Sequence, residues 1–151
     1  MAATHTPQST RVPARSSIVA VGLVAFGLTE IAIGIAQAAA PHAFYTAIGP
    51  FGPYNAHYGR DVATFELAIG IALLIAIARP SWRVPVLGVA ALQFALHSLN
   101  HLLDIGNAHP AWTGYFDFAT LTLGTIALVW LMSVAARERD ALEPRPGRRP
   151  G

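Results

Sequence analysis

Residues 84–105 read VPVLGVAALQFALHSLNHLLDI, and the reading of this run decides the fold. Its 22 residues hold no Lys or Arg and only one acid, Asp104, near the far end. At about 1.5 Å per residue the run is long enough as a helix to cross a hydrocarbon core of about 30 Å. Gln93, His97, Asn100, His101 and Asp104 recur at i, i+4, i+7, i+8 and i+11. With 3.6 residues per turn these positions fall on one stripe, and the opposite face is Leu, Ala, Phe and Val. A polar stripe on an otherwise apolar helix is costly in lipid unless it faces sister helices or a wet cavity. The run therefore predicts a transmembrane helix inside a bundle.

Three more apolar runs flank it, at about 17–40, 62–78 and 115–136. Backbone groups in lipid must be paired within their own segment, so each run predicts a helix. The expected fold class is all-α, a transmembrane four-helix bundle over 17–136. Residues 1–16 form a polar, Pro- and Ser-containing lead expected to be disordered. Residues 137–151 form an Arg- and Pro-rich tail expected to end a helix and then lose order. The outer loop, 41–61, carries Pro41, Pro50 and Pro53 among aromatic residues. It is expected to lie over the mouth of the bundle, with a short helix near Phe44 to Ile48.

Composition agrees. Apolar residues make up 54% and charged residues 12% of the 151 residues. A soluble domain carries about 25% charged residues, so too little polar surface is present to coat a water-soluble globule. The absence of cysteine excludes disulfides, thiolate metal sites, iron–sulfur clusters and cysteine nucleophiles. All ten cations are arginines, and nine of them fall on one side of a four-span arrangement. Arg60 alone falls on the other side. The positive-inside rule makes the arginine-rich side cytoplasmic, which gives an N-in/C-in protein of the cell membrane. Arginines beside apolar spans suit lipid rather than nucleic acid. A rival reading takes residues up to the Ala-rich stretch before Pro41 as a cleaved signal peptide. It would leave three spans and an external N-terminus.

Candidate functional residues gather at one level. Glu30 lies in span one, Glu66 in span two, Gln93, His97, Asn100, His101 and Asp104 in span three, and Asp117 in span four. Depth follows from helical rise: Glu30, Glu66 and His97 sit roughly 3–6 Å from the midplane on the outer side, and His101, Asp104, Asp61 and Asp117 roughly 10–15 Å out. The inner half reads as almost purely apolar. His57, Arg60 and Asp61 stand at the outer mouth, where Arg60 and Asp61 could form an interfacial ion pair. Three chemistries suit the cluster. His97 and His101, one helical turn apart, could ligate a metal or haem with Glu66 completing the shell. Intramembrane Glu and His also suit a proton relay or a quinone headgroup. The plainest reading is a structural polar network, with Glu30 and Glu66 protonated or paired to His97 or His101. A solute transporter would need a polar path through the inner half, and none is visible. Gly22, Gly27 and Gly34 would permit close helix approach or dimerisation. Gly-rich phosphate loops, a Gly-x-Ser-x-Gly elbow and a His-Glu-x-x-His motif are all missing from the sequence.

Gly59-Arg60-Asp61 entering span two, Glu66-Leu67-Ala68-Ile69-Gly70 within it, Arg79-Pro80 after it, and His97 to His101 in span three make a pattern. With the Tyr54–Asp61 and His97–Asp104 segments, it resembles small DoxX-like membrane proteins of actinobacterial type, over about 17–136. The name-giving member is a small subunit of a thiosulfate:quinone oxidoreductase. The resemblance thus implies a redox-linked, quinone-associated role. Besides the lipid bilayer, the expected partners are another membrane protein or a second copy of the chain. It assigns no catalytic residue.

Overall fold

The computed structural model describes residues 14–142, with side chains from Ser17 onward. The stretches expected to be disordered lie largely outside the described residues, at 1–13 and 143–151. Five helices follow in order: α1 (Ala14–Ala39), α2 (Pro41–Ala47), α3 (Ala56–Ala78), α4 (Pro80–Leu103) and α5 (Trp112–Leu142). No strand occurs among the described residues. Four of the helices, all but the short α2, are long and apolar enough to cross a membrane.

Each boundary has a local cause. Pro41 stands in the first turn of α2, where its missing N–H costs nothing. Asn55 caps α3 by accepting a hydrogen bond from the Tyr58 amide at 3.1 Å. That cap starts α3 at Ala56, earlier than the apolar run at 62 suggests. His57 and Asp61 consequently lie on one helical face, 3.5 Å apart, rather than in a loop. Asp61 pairs with His57 and not with Arg60. A single residue, Arg79, joins α3 to α4. Beyond 136 α5 continues to Leu142, where Arg139 hydrogen bonds Asp140 at 3.2 Å.

The helices run up and down around a square. α1 packs mainly on α3 and α4 mainly on α5; α3–α4 and α1–α5 contacts join these pairs. Gly27 of α1 and Gly70 of α3 make the first pairing close. A Cβ on Gly70 would stand 2.8 Å from the Gly27 carbonyl oxygen, and one on Gly27 would stand 3.1 Å from that of Gly70. Gly34 meets Leu67 and the Ala63 carbonyl, and Gly22 meets Leu131 of α5. Gly22, Gly27 and Gly34 therefore serve packing inside the chain.

Packing is unequal along the bundle. Val19, Leu23, Leu73, Leu87, Ala90, Leu128 and Leu131 form a tight core in the half that holds the α3–α4 connection. This half is not wholly apolar. Half-buried Arg83 donates to the Ile77 carbonyl at 3.0 Å and stands 3.9 Å from Glu138. It thereby satisfies a carbonyl left open where α3 ends. The outward faces are apolar: Val21, Phe65, Val89, Leu123 and Ile126 are all exposed. Helices of this length with such faces fit a lipid bilayer.

Candidate functional site

Opposite the tight core the bundle opens into a cavity of about 910 Å³. Its floor is aromatic. Phe26 of α1 and Phe94 of α4 meet edge to face across the diagonal, with ring centroids 5.7 Å apart. Gly124 of α5 makes room for the Phe94 ring, since a Cβ there would lie 2.7 Å from it. These residues separate the cavity from the core.

Polar side chains line the wall from four helices. Glu30 comes from α1, Glu66 from α3, and Asp117 from α5. Gln93, His97, Asn100, His101 and Asp104 come from α4, one stripe as the helical period requires. Every intramembrane candidate from the sequence thus borders one space. His57, Arg60 and Asp61 do not; their neighbours Asn55, Tyr58 and Gly59 do. Asn100 is the most exposed of the stripe's inner members and makes no side-chain hydrogen bond among the described residues.

Contacts within this wall are pairwise. Gln93 Nε2 donates to Glu66 Oε1 at 3.5 Å, which joins α4 to α3. His97 Nε2 and His101 Nε2 are 3.1 Å apart, one donating to the other according to tautomer. Glu30 and Glu66 set their carboxyl groups side by side. Glu66 therefore partners an amide and a second carboxyl rather than a histidine. Asp104 ends α4 and accepts from Asn107 Nδ2 at 2.8 Å. Beside the stripe, on another face of α4, Ser98 and Thr122 hydroxyls meet at 2.7 Å and tie α4 to α5. No group of three or more His, Asp or Glu residues is placed to hold a metal ion among the described residues. His97, His101 and Glu66 are accordingly not gathered as a ligand set.

Several polar atoms find no partner. Glu30 Oε2, Gln37 Oε1, Gln93 Oε1, His101 Nδ1 and Asp117 Oδ2 are buried without a hydrogen bond among the described residues. All five residues line the cavity. Each such atom costs about 1–3 kcal/mol if left unmade. Gln37 escaped the sequence reading because a single amide near a helix end carries no periodic signal.

An aromatic roof partly covers the end of the cavity away from the core. Phe44 and Tyr45 of α2 and Phe51 and Tyr54 of the following segment line the cavity. Tyr45 Oη donates to the Gly52 carbonyl at 2.6 Å, and Gly52 takes a φ of 62°, which glycine adopts without strain. Phe51 stands edge-on to His101, 4.6 Å between centroids. Phe65 and Phe116, also lining residues, are exposed on the flank, so the cavity reaches the side of the bundle as well as its end.

Compared with known proteins, the chain matches no family model, no curated protein and no solved structure.

Proposed function

We propose that the protein is a multi-pass cell-membrane protein whose cavity binds a small amphipathic molecule. One observation carries this reading: five residues with unpaired buried polar atoms border a single space of about 910 Å³. A polar network that only held helices together would close such atoms on one another. A cavity of this volume, apolar over most of its wall and fixed by a few polar groups, matches the usual form of a small-molecule site. The flank opening supports entry from lipid.

Native mass spectrometry of the protein released from nanodiscs tests the reading. The expected result is a discrete small-molecule adduct that survives delipidation and is lost on Glu66→Leu. A spectrum of bare protein and bulk lipid alone, with stability unchanged by any added amphiphile, would return the cluster to a structural, accessory role.

A second reading is a redox-linked quinone site. The His97–His101 pair favours it, because a ring N–H there could donate to a quinone carbonyl. The DoxX-like resemblance points the same way.

Orientation follows from the arginines. Arg79, Arg83, Arg137 and Arg139 stand at the core end and Arg60 at the cavity end. The positive-inside rule then supports cytoplasmic termini and an external cavity mouth. Because the chain has no cysteine, single-cysteine variants report cleanly. In intact cells a membrane-impermeant maleimide is expected to label His109→Cys and to spare Asp140→Cys. The reverse labelling would invert the topology.

A further inference from the structure

The sign and hydrogen-bonding character of the wall narrow what the cavity accepts. Four carboxyl groups line it, from Glu30, Glu66, Asp104 and Asp117, and no arginine does among the described residues. An anionic ligand would meet acidic groups and find no cationic side chain among the described lining residues. Unpaired atoms add a second, independent constraint. Glu30, only 2% exposed, lines the cavity with Oε2 unpaired. The unpaired atoms of Gln37, Gln93 and Asp117 are also acceptor oxygens. Gln93 keeps its oxygen free because its amide nitrogen already faces Glu66. Four of the five unpaired atoms that border the cavity are therefore acceptor oxygens; the fifth, His101 Nδ1, donates or accepts according to tautomer.

Aromatic surroundings complete the description. Phe26 and Phe94 form the floor, and Phe44, Phe51 and Tyr54 the roof. Ring faces attract cations and repel anions, and they also cover the apolar body of a ligand. A bare divalent ion fits neither the volume nor the donor arrangement, since no three-residue ligand set is formed among the described residues. A cation placed beside Glu30 favours the ionised form of its carboxyl group.

We propose that the cavity takes a lipophilic amine, its ammonium group donating to Glu30 and its apolar body held between the aromatic floor and roof. This rests on the ligand-binding reading above and names the ligand's class. The ammonium supplies donors to the unpaired acceptor oxygens, and its charge is the one an acidic wall favours. The amine partitions into lipid and enters by the flank beside Phe65.

The test uses the full chain in phosphatidylcholine nanodiscs, with empty nanodiscs as blank. Binding of tritiated 4-phenylbutylamine is measured directly, and 4-phenylbutan-1-ol and decylubiquinone serve as competitors. Saturable amine binding is expected, with the alcohol roughly tenfold weaker, the usual gain from a charge-assisted hydrogen bond. Glu30→Gln should weaken the amine by a similar factor and leave the alcohol unchanged. Should Glu30→Gln fail to fold, the amine–alcohol ratio in the unmodified protein still decides, and Asp117→Asn gives a second, smaller loss. Equal affinity for amine and alcohol overturns the proposal. So does saturable decylubiquinone binding without amine binding, although the ligand-binding reading then stands. If amine, alcohol and quinone all fail to saturate, the ligand-binding reading falls too.

Discussion

Gly70→Leu should prevent α1 from closing on α3, and the protein should be recovered misassembled or in much reduced yield. Even a methyl group at this position would stand 2.8 Å from the Gly27 carbonyl oxygen, 2.8 Å from Ile31 Cγ1 and 3.0 Å from Glu30 Cβ. The first of these is backbone and cannot rotate away. Ordinary overpacking costs about 1–3 kcal/mol. Gly70→Ala should fall at the upper end of that range, and leucine should exceed it. Because Glu30 is among the atoms displaced, ligand retention should fall with stability. Gly59 provides the control on the same helix. A Cβ there meets nothing within 4 Å, so Gly59→Ala should be neutral or more stable by about 0.5–1 kcal/mol through helix propensity. Heating followed by size-exclusion chromatography measures both. A Gly70→Leu protein as stable as Gly59→Ala would mean that α1 and α3 do not cross here.

Phe94→Ala carries the other large effect. This ring is 8% exposed and belongs both to the core and to the cavity floor. Its removal deletes a large buried side chain and deepens the cavity toward the core. Phe-to-Ala changes in packed sites cost roughly 3–5 kcal/mol. Phe26→Ala should cost less, because Phe26 is only half-buried. The double variant should show coupling of about 0.5–1.5 kcal/mol, the usual worth of an edge-to-face pair. The larger space should also admit bulkier amphiphiles. Thermal denaturation of the two single variants and the double variant measures the coupling. Strict additivity would mean that the two rings do not act together as a floor.

The run at 84–105 and its three companions made the helices legible, because hydrophobic length is a local property of sequence. The Gln93–Asp104 stripe was legible for a related reason: one helical period places all its members on one face. Their convergence with Glu30, Glu66 and Asp117 followed from counting residues inward from each span end. Pairing was not legible. Whether Glu66 meets Gln93 or His97 depends on helix rotation by a fraction of a turn, which no single helix records. The early start of α3 was hidden because polar residues 56–61 join the helix through the Asn55 cap, not through apolar pattern. Arg83 read as a charge at a membrane edge. Its hydrogen bond to the Ile77 carbonyl and its approach to Glu138 appear only once α3, α4 and α5 are side by side.

The single residue between α3 and α4 also bears on how the chain is made. With only Arg79 joining them, neither helix has slack to be inserted separately from the other. In a bilayer they would enter as one hairpin during synthesis. Glu66 then meets the Gln93 amide inside that hairpin, before α5 has been translated and whatever the position of α1. The most buried acid of α3 would thus travel into lipid with a hydrogen-bonding companion rather than bare. A longer linker at Arg79 would lengthen the time Glu66 spends unaccompanied, and quality-control proteolysis of the nascent protein would rise with it.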